Sequence, residues 1–108
     1  MPRAVYVVYS SPASPDREDE YNDWYDQVHL GEVCAIDGVS GATRYELAGV
    51  GGDDSTTKYL AVYQIEADDP QAVIDDIAVA AGDGRLNMSD VLQMEPPPDA
   101  LLYVERDR

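Results

Sequence analysis

The stretch Glu20-Tyr21-Asn22-Asp23-Trp24-Tyr25-Asp26-Gln27-Val28-His29-Leu30 puts the chain's one Trp, its one His and two of its eight Tyr on about two helical turns. At 100° per residue, Tyr21, Trp24, Tyr25 and Val28 form one apolar stripe, with His29 one turn beyond Tyr25 at its edge. Histidine is the side chain whose unperturbed pKa lies near neutrality, so an imidazole beside aromatic walls could act as acid or base on a small substrate. Asp26 and Glu32 each stand three residues from His29, and either could orient the ring. The competing reading is a structural histidine at a helix edge.

The other chemistry-bearing residues are sparse. Cys34 is the one cysteine, which forbids an internal disulfide, and with His29 it supplies too few ligands for a structural zinc site. A thiolate served by His29 is an alternative, but five residues is an awkward helical offset, and between Val33 and Ala35 the cysteine reads as a small buried hydrophobe. The carboxylates from Asp16 to Asp26 fall on several sides of a helix, so no metal site is expected. Gly49-Val50-Gly51-Gly52 lacks the spacing of a dinucleotide loop. Eight Tyr and no Phe mean that nearly every aromatic body ends in a hydroxyl. A pocket lined by Tyr6 or Tyr9, Tyr25, Tyr45, Tyr59 and Tyr63 would suit a flat, oxygenated organic molecule. Ordinary strand propensity would account for the same residues.

At 108 residues the chain is expected to form a single domain, 1–108. Apolar residues make up 44%, enough for a core, while 7 Lys+Arg against 22 Asp+Glu give a net charge of −15. Such a field repels phosphate backbones and anionic lipid, so nucleic acid and membrane partners are not expected. The apolar run Ala4 to Tyr9 is too short for a signal sequence or a span, which reads as a cytoplasmic protein.

The elements that must position these residues follow from periodicity. Ala4 to Tyr9, apolar without alternation, predicts a central strand buried on both faces. After Ser10 to Pro15, a helix is predicted from about Asp16 to His29, with Gly31 interrupting it before a further turn to Ile36 and an Asp37-Gly38 turn. Val39 to Leu47 reads as a strand with Val39, Gly41, Thr43, Tyr45 and Leu47 on one face and Ser40, Ala42, Arg44 and Glu46 on the other. Thr57 to Ile65 alternates again, and the two make a long antiparallel pair. Pro70 opens a helix carrying Val73, Ile74, Ile77 and Ala78, ended by Gly82-Asp83-Gly84. Asn87 to Met94 is an irregular turn or short helix, Pro96 to Pro98 a stiff connector, and Leu101 to Glu105 a last strand. The order βαββαβ is the ferredoxin-like α+β arrangement with an antiparallel sheet. Two helices cover one face of that sheet, so the other is expected to meet a second copy as a homodimer.

The core W-Y-x-x-V-H-L (Trp24 to Leu30), followed by I-D-G-V-S-G-A-T-R-Y-E-L (Ile36 to Leu47), resembles the dimeric α+β barrel superfamily, and within it the small EthD-like proteins. The resemblance spans about Ala4 to Glu105 and departs at Gly31, where relatives commonly carry Pro. It implies a dimeric α+β barrel with a cavity between sheet and helices in each subunit. By the same resemblance, Trp24, Tyr25 and His29 match the helix motif, and Arg44 and Tyr45 the strand motif. The candidate site is therefore His29 and Tyr25 as catalytic residues and Trp24, Tyr6, Arg44, Tyr45 and Tyr63 as substrate-binding residues, with neither cofactor nor metal. The leading expectation is a cofactor-independent isomerase, cyclase or lyase acting on a hydrophobic oxygenated compound by His-assisted proton transfer. A non-catalytic ligand-binding protein and a cofactor-free monooxygenase are the rivals.

Overall fold

A computed structural model describes residues 3–48, 59–94 and 98–106. The Gly-rich connection at 49–54, the start of the third strand at Thr57, and Pro96-Pro97 lie outside the described residues. Four strands, β1 (Arg3–Ser10), β2 (Val39–Glu46), β3 (Tyr59–Glu66) and β4 (Asp99–Val104), form one antiparallel sheet in the order β2-β3-β1-β4. The expected βαββαβ order holds, and the apolar Ala4 to Tyr9 run sits in a central strand, paired with β3 on one side and β4 on the other.

One face of the sheet carries the core. Tyr59, Ala61, Tyr63 and Ile65 alternate with outward residues along β3, and all four are buried. Their register partners Ser10, Val8, Tyr6 and Ala4 point the same way. Onto this face pack Tyr21, Tyr25 and Val33 from the first helical segment and Val73, Ile77 and Ala80 from α3 (Pro70–Asp83). The spacing of Val73, Ile77 and Ala80 is the i, i+4, i+7 stripe of a one-sided helix. Pro70 stands in the first turn of α3, Asp69 caps its Ala72 N–H, and Gly84 at φ +91° ends it in the left-handed region. The helix therefore runs past Gly82, and Ala78 faces solvent.

Two expectations are corrected. The first helix does not stop at His29 or break at Gly31. After a 3₁₀ turn (Pro15–Arg17) it runs as α1 (Glu18–Trp24), a π-helical turn (Tyr25–His29) and α2 (Leu30–Cys34), with the Leu30 N–H donating to the Tyr25 carbonyl across five residues. The wide turn changes which side chains line up. The second correction is in β2. Val39 pairs with Ile65 but Gly41 pairs with Gln64, so Ser40 is an extra residue in the ladder. Past this bulge the alternation is reversed, and Ala42 and Arg44, opposite Tyr63 and Ala61, join the helix-covered face while Thr43 and Tyr45 turn away from it.

Among the described residues nothing covers the opposite face within one protomer. Val5, Val7, Tyr9, Leu60 and Val62 are only half-buried there, and Tyr45, Leu101 and Tyr103 are exposed. β1 is thus not buried on both faces by the described residues.

Candidate active site

Between the covered sheet face and the helices lies a cavity of about 160 Å³, walled by Tyr6, Val8 and Ser10 of β1, Tyr63 of β3, and Tyr25 and His29 of the π turn, with Leu86, Met88 and Leu92 closing it from the segment after α3. A void near 150 Å³ holds a benzene-sized ring, so this one fits a molecule of that order.

His29 reaches the cavity because of the π turn. Trp24 and His29 are five residues apart, which on a regular α-helix would set them 140° apart. Here their rings stack with centroids 4.7 Å apart and planes at 22°, and Tyr25 meets the imidazole edge-on at 5.0 Å and 88°. Val28, expected in the apolar stripe, contributes nothing to the core; His29 takes its place. Burial lowers the His29 pKa to about 4, against a smaller opposite pull from the Glu32 carboxylate. The imidazole is therefore neutral at pH 7. Neither acidic neighbour orients it: Asp26 pairs with Arg44 at 2.9 Å, Glu32 accepts from Asn87, and among the described residues the buried His29 Nδ1 has no hydrogen-bond partner.

Across the cavity stand the tyrosine hydroxyls. The Tyr63 hydroxyl donates to that of Tyr25 at 3.3 Å. Burial pushes the Tyr25 pKa up to about 12 and raises those of Tyr63 and Tyr6, so all three stay protonated donors at any physiological pH. Tyr6 packs on Tyr63 with centroids 6.2 Å apart. Beside them the Ser10 hydroxyl and the Tyr21 hydroxyl share a hydrogen bond of 2.6 Å. Farther along the sheet, Tyr59 donates to Glu18 and accepts from the Asn22 amide at 3.3 Å.

The expected site residues divide. His29, Tyr25, Tyr6 and Tyr63 meet at the cavity. Trp24 does not line it, but backs His29 and donates its indole N–H to the Asn87 carbonyl at 2.9 Å. Arg44 also lies outside, behind Tyr25, with its guanidinium 4.5, 5.2 and 5.3 Å from the ring centres of Tyr25, Tyr59 and Tyr21. Its buried Nε and Nη2 lie against those aromatic rings, with the Tyr21 hydroxyl as polar neighbour. Tyr45 is on the uncovered face, opposite Leu60 and 54% exposed, because the Ser40 bulge turned it away. Sequence reasoning missed Ser10, which carried no signal beyond its parity with Tyr6 and Val8, and it missed Leu86, Met88 and Leu92, whose irregular backbone gives no periodicity. Burial raises the Cys34 pKa, which disfavours a thiolate. Among the described residues no cluster of three or more His, Cys, Asp or Glu side chains is placed to hold a metal ion, and no helix is long and apolar enough to cross a membrane. A larger crevice of about 440 Å³ at the sheet's end is lined by Ala4, Val5, Ile65, Tyr103 and Val104 together with the charged Arg3, Glu66 and Glu105, and holds none of the expected site residues.

No family model matches the chain, and no curated protein matches it in sequence. Solved structures share its fold. An EthD-like protein from Ralstonia eutropha superposes with a TM-score of 0.55 at 16% identity, over 95% of this chain and 92% of that one. A dimeric ferredoxin-like protein of unknown function from Thermobifida fusca gives 0.54 at 11% identity, over 96% and 92%. An EthD family protein from Bacillus halodurans gives 0.49 at 13% identity, over the full length of both chains. The expected ferredoxin-like α+β fold and the resemblance to EthD-like proteins thus find their counterpart in these structures, at the level of fold.

Proposed function

We propose that the chain is a small cofactor-independent enzyme that moves a proton on an uncharged, oxygenated organic compound bound between His29 and the Tyr25–Tyr63 hydroxyl pair. The observation that carries this is the sharing of one small apolar cavity by a neutral imidazole and a hydrogen-bonded pair of tyrosine hydroxyls, in which Tyr63 donates to Tyr25 and leaves the Tyr25 proton to a ligand. His29 takes a proton from carbon next to a carbonyl, the C–H electron pair moves into the C–C bond as the C=O π pair moves onto oxygen, and a tyrosine O–H holds the resulting enolate oxygen. Return of the proton to another atom completes an isomerisation; in a cyclisation the enolate carbon instead bonds to a second carbonyl carbon of the same molecule, whose C=O π pair moves onto oxygen and takes the proton from His29. An imidazole whose conjugate acid has a pKa of about 4 is a weak base, which selects carbon acids flanked by two carbonyl groups. The small cavity excludes bulky substrates.

The uncovered sheet face belongs to the same proposal. A second copy of the chain packs its own uncovered face there, giving a homodimer whose half-buried Val5, Val7, Leu60 and Val62 become core. The Thermobifida fusca neighbour is described as dimeric, which supports that reading. The chain acts as one domain, 1–108, in the cytoplasm.

The test uses methyl acetoacetate and α-acetyl-γ-butyrolactone as probes, following exchange of the proton between the two carbonyls for deuterium by NMR. Exchange accelerated by the protein, falling roughly 10²–10⁴-fold in His29→Ala and less in Tyr63→Phe, is the expected result. Binding of either probe without accelerated exchange identifies a container and overturns the enzymatic reading.

A further inference from the structure

One wall of the cavity comes from irregular backbone. From Leu86 to Leu92 the chain follows neither helix nor strand, and its two ends are fixed in different ways from its middle. Leu86, Val91 and Leu92 are buried in the core, and main-chain bonds from Ala13 to Val91 (2.6 Å) and from Gln93 to Ser11 (2.9 Å) tie the far end to the residues after β1. The middle, Asn87 to Asp90, has no such burial. Met88 lines the cavity yet is 45% exposed, so it is a residue at the cavity's edge, as are the exposed Ala81 and Ala100.

Next to Met88, Asn87 makes three hydrogen bonds to the first helical segment, all of them outside the cavity lining. Its backbone N–H donates to Glu32 Oε1 at 2.7 Å, its side-chain amide donates to Glu32 Oε2 at 2.6 Å, and its carbonyl accepts from the Trp24 indole at 2.9 Å. A carboxylate gripped by both amides of one residue is a strong, geometrically defined contact. All of it is exposed, so it forms and breaks in water without a desolvation penalty. The third bond fixes Trp24, and Trp24 is the ring stacked on His29.

We infer that Asn87 is the catch of an entry gate: while it bonds Glu32 and Trp24, the Asn87–Asp90 segment holds Met88 at the cavity's edge and Trp24 against His29, and its release admits small molecules to the imidazole. Entry and the placement of His29 are thereby linked through one residue. This rests on the cavity being the ligand site, but its readouts need no turnover. At the far side of the segment the Arg17–Asp90 ion pair at 3.0 Å supplies a hinge contact rather than a latch, since it lies beside the anchored Val91.

The single histidine allows a direct test, acylation of His29 by diethylpyrocarbonate at pH 7 followed by absorbance, together with NMR titration of the same ring. Glu32→Gln replaces one of the two acceptor oxygens with a donor and removes the charge. Loss of the charge alone would lower the His29 pKa further, because Glu32 raises it, whereas release of the gate hydrates the ring and raises it. The remaining groups facing His29, the hydroxyls of Tyr25, Tyr6 and Tyr63, are unaltered in the variant. The expected result is a rise of the His29 pKa from about 4 toward 6.5, with acylation about tenfold faster, the shift in open population that loss of one bond to a carboxylate gives. A pKa that falls or stays, or an acylation rate equal to wild type, overturns the inference. Should Glu32→Gln melt early, Asn87→Ala, which removes only the side-chain bond, is read by the same two measurements. Failure of the exchange assay with either probe would leave these two readouts standing.

Discussion

Trp24 and His29 lie five residues apart in sequence and stack at 4.7 Å, with the Leu30 N–H reaching back to the Tyr25 carbonyl to make the turn that permits it. The stack accounts for both properties of the histidine. It turns the imidazole toward the cavity rather than outward, and it shields one ring face from water, which favours the uncharged form.

The protonation of His29 is therefore coupled to folding. Its pKa is about 4 in the folded protein against 6.5 unfolded, so between these values the unfolded chain binds the additional proton and stability falls as pH drops. Above pH 6.5 the contribution is fully present. Below about pH 4 it is gone, a loss of about 3 kcal/mol. Urea unfolding of wild type and His29→Asn from pH 7.5 down to pH 4 should give curves that converge over this window, the carboxylates common to both cancelling in the difference. Parallel curves would mean that the ring is already hydrated.

Arg44 is predicted to be structural. Three tyrosine rings and Asp26 surround its guanidinium, whose side chain is 12% exposed. Arg44→Lys should cost about 1–2 kcal/mol in urea unfolding, since a compact ammonium cannot lie flat on Tyr25 while reaching Asp26. Asp26→Asn should cost less than about 1 kcal/mol, its carboxylate being 58% exposed. Equal costs for the two would place the energy in the ion pair instead of the cage.

The uncovered sheet face is the third test. Wild type should sediment at twice the chain mass at micromolar concentration. Val7 and Val62 are register partners on that face, and an Asp at either should dissociate or unfold the protein, because a charge would be buried without a partner. A stable wild-type monomer would remove the sheet-to-sheet dimer.

Two glycines should respond in opposite directions. At Gly38, φ is +96° and an added Cβ would lie 2.6 Å from Val73 Cγ2, so Gly38→Ala should destabilise by about 1–3 kcal/mol. At Gly31, within α2, an added Cβ meets nothing within 4 Å, and Gly31→Ala should stabilise by about 0.5–1 kcal/mol. Thermal melts of the two variants decide this directly.

The sequence by itself determined the sheet, because period-2 alternation in Thr57 to Ile65 and unbroken apolarity in Ala4 to Tyr9 are local properties that burial must respect. It likewise determined α3, whose Pro70 start, Val73 and Ile77 stripe and Gly84 end are all written in neighbouring residues, and it brought His29, Tyr25, Tyr6 and Tyr63 forward as candidates. Only the tertiary structure decided that Trp24 backs the histidine, that Tyr45 faces away while Arg44 is caged, and that Asn87 ties Glu32 and Trp24 together. The reason is the same in each case. A π turn and a one-residue bulge shift the phase of a pattern without changing its composition, so reading at fixed period points the later residues the wrong way. Contacts such as Asn87 with Glu32 join segments fifty-five residues apart, where no local preference signals the pairing.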